Sequence, residues 1–146
     1  METFVARQSI LDKNNKVIAF ELLFRDSNLN TYNYHDGDEA TLAVIRNSYF
    51  DIGMNKIIGN KIAFINFTAN LLKSDIVNML NSESVIIEIL ENIEPDDEII
   101  DACKRLKEKG FMIALDDFIF DENKAKTPGL IFSLYWFLKN RKELGV

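Results

Sequence analysis

The feature that most constrains this chain is a recurring pair: an apolar run of strand length, then turn residues and an amphipathic helical pattern. Strand-like runs occupy residues 4–11, 16–24, 61–67, 84–90 and 111–118. The third and fourth (KIAFINF and SVIIEIL) are apolar at nearly every position. Such runs suit strands covered on both faces, as in a parallel sheet with helices packed on it. Strands alternating with helices predict an α/β fold with a mainly parallel sheet and right-handed crossovers. No repeat, charge block or linker divides residues 1–126, which read as one domain. Residues 127–146 form a tail of different character, whose stretch 130–138 is almost wholly apolar and precedes the charged KNRKE. Nine residues cannot span a bilayer as a helix. Periodicity does not decide between a buried helix and a strand there, and the expectation is a helix packed on the sheet or at an interface.

Local signals sharpen this outline. The polar stretch Asp12, Lys13, Asn14, Asn15 joins the first two runs and favours a hairpin. After an Asn- and Asp-rich loop, Asp38 is placed to cap a helix running to about Ile52, with Leu42, Ile45, Tyr49 and Ile52 on its inner face. A second helix is expected over 70–80, with Leu72, Ile76 and Leu80 on one stripe. A third has Pro95 in its first turn, followed by Asp96, Asp97 and Glu98. Ile99, Cys103 and Leu106 form its buried face, and Gly110 ends it.

Composition excludes several classes. With 146 residues, 47% of them hydrophobic, the chain can build a core and is not disordered. A net charge of -6 argues against binding duplex nucleic acid, which takes an excess of Lys and Arg. It leaves open a small phosphorylated ligand held through a metal. A single cysteine allows no internal disulfide, and the opening METFVARQ does not resemble a signal peptide. A soluble, cytoplasmic protein without a membrane span is expected. Gly53 and Gly59 make no phosphate loop, and His35 reads as a solvated loop residue.

The chemistry concentrates at strand ends. Glu21, Asn66, Glu88 and the pair Asp116 and Asp117 interrupt the apolar runs, each toward the C-terminal end of its strand. An ionised carboxylate inside such a sheet is costly unless a cation or a donor compensates. In βα topology these ends converge on one rim, where folds of this kind place their sites. Carboxylates with one amide oxygen, and no His or Cys, form a hard-oxygen donor set suited to Mg²⁺, Mn²⁺ or Ca²⁺. One or two such ions can serve phosphodiester hydrolysis.

These residues resemble a family. The stretch from Phe20 to Arg25 (FELLFR) is similar to the signature of the EAL-domain phosphodiesterases of cyclic di-GMP, with Leu22 at the signature alanine. Ile65, Asn66, Phe67 and Thr68 resemble the family's Asn strand, and Glu88 to Glu91 its Glu-x-Thr-Glu strand. Leu115 to Phe118 resembles its Asp-Asp-Phe-Gly motif, and Ala6 to Ile10 its opening strand, with Ser9 in place of proline. Gly37 to Thr41 is most similar to the EAL half of proteins that join EAL and HDOD domains. The resemblance covers about residues 3–121. It implies a partial, half TIM-like EAL barrel, the first strand antiparallel to the rest. It further implies that Glu21, Asn66, Glu88 and Asp116 ligate Mg or Mn, with Asp117 toward a second metal. Gln8 and Arg25 would contact cyclic di-GMP, and Glu91 would support the metal site.

The sequence also departs from the family. Ile119 stands at the motif's glycine, and no counterpart of the later lysine strand, glutamate or Gln-Gly segment follows Lys126. A full barrel takes about 250 residues. The expectation is therefore an EAL-like signalling domain, either degenerate or truncated, with little or no phosphodiesterase activity. The alternative is a non-catalytic regulatory or interaction module. An exposed strand edge in such a sheet must be covered or paired, so a homo-oligomer is expected.

Overall fold

A computed structural model of the chain describes residues 4–25 and 37–115. The expectations for His35, Asp116, Asp117 and the tail 127–146 lie outside these residues. The described residues form an α/β arrangement around a five-stranded sheet whose spatial order is the sequence order, β1 to β5. Strands β1 (Val5–Leu11) and β2 (Val17–Phe24) are antiparallel. From β2 onward, β3 (Ile62–Phe67), β4 (Val85–Ile89) and β5 (Met112–Leu115) run parallel. The sheet is open among the described residues, and β1 and β5 are its edges. No described helix is long and apolar enough to cross a membrane.

The hairpin follows from Asp12. Its carboxylate oxygen Oδ1 accepts the backbone N–H groups of Asn14 at 2.8 Å and Lys16 at 3.0 Å. That local bonding closes the turn, and Asn15 takes the left-handed conformation (φ 61°) that asparagine tolerates. On the far side of the sheet, Ala63, Ile65 and Phe67 of β3 and Val85, Ile87 and Ile89 of β4 pack against the helices. Phe67 is fully buried.

Helix α1 (Gly37–Arg46) corrects the sequence reading in three ways. It begins at Gly37, so Asp38 lies inside the first turn, where its carboxylate bonds to side chains of another segment. The buried face is Thr41, Val44 and Ile45, while Leu42 is 40% exposed. The helix also changes pitch: Asn47–Ile52 is π-helical, which turns Asn47 and Ser48 inward and leaves Phe50 65% exposed. Tyr49 and Ile52 pack partly against the core, as expected. Gly53, at φ 93°, then turns the chain into the short helix α2 (Met54–Ile58).

The single helix expected over 70–80 is two pieces. Helix α3 (Ala69–Leu72) stops at Lys73, and a 3₁₀ turn occupies Asp75–Met79. Ser74 makes the break: its hydroxyl donates to the Leu71 carbonyl at 2.8 Å and accepts the Ile76 N–H at 3.3 Å. Leu72 and Leu80 are still buried and Ile76 partly so. Helix α4 (Asp97–Glu108) keeps the expected face of Ile99, Cys103 and Leu106, with Ala102 added. Its cap is Asp96, which accepts the Ile99 N–H at 2.9 Å, so Pro95 precedes the cap and is not in the first turn. Gly110 (φ 90°) follows its end.

Two outcomes follow for stability. Asp96→Ala removes the cap of α4 and is expected to cost about 1 kcal/mol in urea unfolding. Burial pushes the Cys103 thiol up to about 11, from 9.0 for an exposed thiol. Below pH 9 the folded and unfolded chains both hold this proton. Between 9 and 11 the unfolded chain releases it and the folded one does not, so stability falls as pH rises through that window. The urea midpoint should drop there, and Cys103→Ala should flatten the drop.

Candidate functional site

The site is built on the sheet face opposite the helices. Ala19, Phe64, Ile86 and Ala114 form a small buried cluster there, one residue from each of β2 to β5. Strand side chains alternate, so the residue two positions further along each strand shares this face. Those residues are Glu21, Asn66 and Glu88, and the same spacing from Ala114 leads in sequence to Asp116, outside the described residues. One apolar layer thus underlies Glu21, Asn66 and Glu88.

The register brings three of them together. Asn66 stands opposite Glu88 across the β3–β4 ladder. Asn66 also lies two residues beyond Phe64, the partner of Glu21, and reaches diagonally across to β2. Its amide nitrogen Nδ2 donates to Glu21 Oε1 at 2.9 Å. That bond fixes which way the amide faces, because only its nitrogen can serve a carboxylate. The amide oxygen, Oδ1, is left buried with no hydrogen-bond partner among the described residues. Oε2 of Glu88 is buried as well. Gln8 is exposed and directly opposite Glu21 in the antiparallel pair, hence on the same face. Arg25, exposed, follows the end of β2, and Glu91, exposed, follows β4 by two residues.

Glu21 and Glu88 stand on the strands either side of Asn66, and two carboxylates with an amide oxygen are an all-oxygen donor set, the chemistry of a hard divalent cation. Among the described residues, no three His, Cys, Asp or Glu side chains gather into a group that could hold a metal ion. The third donor of the described set is an amide, which sequence spacing alone already singled out.

The residues that sequence reasoning missed lie beneath the site. The Thr41 hydroxyl donates to the backbone carbonyl of Asn66 at 2.8 Å. The Asp38 carboxylate accepts from the Thr68 hydroxyl and, at 3.0 Å, from the Asn70 amide. No periodicity announces these contacts; a lone threonine on a buried helix face is the one trace they leave. A separate groove of 620 Å³ runs along α1, lined by Phe24, Leu42, Phe50 and Met79 among others, and includes none of the expected site residues.

Comparison with known proteins bears on this site. The chain is 44% identical over 118 residues to the uncharacterized protein YuxH of Bacillus subtilis (strain 168), a match covering 81% of this chain and 29% of that protein. It is 37% identical over 119 residues to the cyclic di-GMP phosphodiesterase CdgJ of Vibrio cholerae serotype O1 (strain ATCC 39315 / El Tor Inaba N16961), covering 81% of this chain and 28% of that one. The chain therefore spans less than a third of the length of the curated relatives it matches. No protein-family profile matches it, and no solved structure does.

The bonded pair sets a prediction. Asn66→Asp replaces the donor beside Glu21 with a second carboxylate, so one of the two must gain a proton or the pair must part. The variant should be less stable than the parent at pH 7.5, by about 1–3 kcal/mol. Like charge raises the folded pKa, so the deficit should shrink as pH falls toward 4, which urea midpoints across that range would show.

Proposed function

We propose that the chain is a signalling domain of the EAL type, related to cyclic di-GMP phosphodiesterases, whose sheet-face carboxylates and Asn66 hold a divalent cation. The observation that carries this reading is the buried Oδ1 of Asn66, without a partner among the described residues, on a side chain oriented by Glu21 and a residue paired in register with Glu88. A buried acceptor without a donor costs about 1–3 kcal/mol, and a bound cation would relieve it. The 37% identity to a protein named as a cyclic di-GMP phosphodiesterase supports the family and the ligand class.

On this reading Glu21, Asn66 and Glu88 are donors to Mg²⁺ or Mn²⁺, and Asp116 and Asp117 complete the set. Bound there, the cation supplies Lewis acidity toward a phosphate and lowers the pKa of water. The chain's own residues do the rest. Gln8, exposed beside Glu21, and Arg25 beyond β2 contact the nucleotide and its phosphate, and Glu91 supports the rim. The open five-stranded sheet corresponds to the first part of a TIM-like barrel, with residues 127–146 as a distinct apolar tail. Edges such as β1 and β5 suit pairing with another chain.

Turnover is a separate matter from binding. These 146 residues carry Ile119 at the motif's glycine and no counterpart of the family's later lysine and glutamate. We therefore assign this segment cation binding and little or no hydrolysis by itself, with a non-catalytic regulatory role as the second reading.

Calorimetric titration tests it. Mn²⁺ should bind the parent chain and not Glu21→Ala or Asn66→Ala, with circular dichroism confirming that the variants fold. At a hundredfold excess over the Kd, Mn²⁺ should stabilise the parent by about 2.7 kcal/mol. Cyclic di-GMP should be consumed at no more than the metal-only background; turnover above it, lost in Glu21→Ala, would overturn the inactive part of the reading.

A further inference from the structure

The first turn of α1 grips the exit of β3. Gly37 approaches so closely that a Cβ at that position would lie 3.0 Å from the Thr68 side-chain methyl. Asp38 holds two side chains of the exit at once, accepting from the hydroxyl of Thr68 and the amide of Asn70. Thr68 in turn caps α3, accepting the Leu71 N–H at 3.3 Å. Thr41, one turn further along α1 and 6% exposed, donates to the Asn66 carbonyl at 2.8 Å. Alternate residues of the exit, at 66, 68 and 70, are thus each bonded to a residue in the first turn and a half of α1.

From these contacts we infer that Thr41 and Asp38 are positioning residues for Asn66. Resting on the cation-site reading above, this gives the first turns of α1 a specific role: they hold the Asn66 peptide in the pose in which Nδ2 meets Glu21 while Oδ1 has no partner among the described residues. The physical reason is leverage. Asn66 is the last residue but one of β3, with no strand beyond Phe67 to hold it. A side chain on a strand end wanders with its backbone, and a cation donor has to stay within a few tenths of an ångström of its place. A hydroxyl from a buried helix face supplies that restraint without adding charge near the donors. Groups that orient a metal's ligands in this way are worth roughly 10–100-fold in affinity.

The test uses the whole 146-residue chain. Thr41→Val keeps the shape of the side chain and removes its donor; Thr41→Ser keeps the donor. Mn²⁺ affinity is measured by calorimetry, and the Asn66 side-chain amide resonance is followed by NMR without metal. The inference expects Thr41→Val to weaken Mn²⁺ at least tenfold and to move the Asn66 amide resonance. Thr41→Ser should bind within twofold of the parent. Thr41→Val binding Mn²⁺ as tightly as the parent, or Thr41→Ser failing to restore affinity, overturns the inference and leaves the cation site standing. If the parent chain binds no Mn²⁺, the cation reading falls instead, and an Asn66 resonance unmoved in Thr41→Val then overturns the positioning role too. Should Thr41→Val fail to fold, Asp38→Asn, which keeps the size and removes the paired charge, takes the same measurements with the same expected directions.

Discussion

Parallel pairing of β2 through β5 governs everything else in this molecule. Parallel strands cannot be joined by tight turns, so each connection must travel the length of the sheet and return, and the returning segment covers a face. That requirement puts α1, α3 and α4 on one side and demands apolar residues at Ala63, Ile65, Phe67, Val85, Ile87 and Ile89 beneath them. It also sends all four parallel strands in the same direction, so their C-terminal ends come out on one rim. The polar residues did not need to find one another; strand direction and a period of two delivered them to the same edge of the same face.

Once there, their chemistry turns on the Asn66 amide. Glu21 receives a hydrogen bond from it, and the price is an amide oxygen that faces inward with nothing described to meet it. Structures rarely leave such a group in place without a reason, since relieving it by an apolar substitution would be easy. Left unmet, such an oxygen works against the stability of the sheet, and the larger core lies on the opposite face. Its core joins residues from every parallel strand and from α1, α2, α3 and α4, while the cluster beneath the site consists of four buried residues.

How much of this the sequence carries depends on the range of the interaction involved. The hairpin, the five strands and the buried face of α4 were legible because each rests on neighbours in sequence: Asp12 bonding two and four residues ahead, alternation along a strand, and the spacing of Ile99, Cys103 and Leu106. Glu21, Asn66 and Glu88 were legible as a group because parity and strand direction are equally local rules. Where the reading failed, a competing bond decided. Ser74 was one polar residue in a plausible helix stripe, and only its bond to the Leu71 carbonyl shows why the helix breaks. Asp38 looked like a cap because capping is the commonest local use of an aspartate before a helix; its actual partners are 30 and 32 residues away. The shift of the α1 face from Leu42 toward Thr41 has the same origin, since the Thr41 hydroxyl has a carbonyl to meet on β3 and Leu42 does not.

Two of the misread features fall in one place, and the coincidence is informative. Asp38, Thr41 and the exit of β3 all belong to one contact between α1 and the end of the strand that carries Asn66. Local rules describe a chain whose elements each settle their own ends, and they fail where one element settles another's. Such a place costs local preference: a helix start gives its best capping carboxylate to a distant loop, and a buried helix face carries a hydroxyl where an aliphatic residue would pack as well. Natural sequences violate their own local preferences mostly where something other than stability is being specified. Thr41 bonds the very residue whose buried amide oxygen lacks a partner among the described residues, and Asp38 bonds the two alternate residues beyond it, so on the positioning inference both departures from local preference serve one requirement: holding Asn66 still.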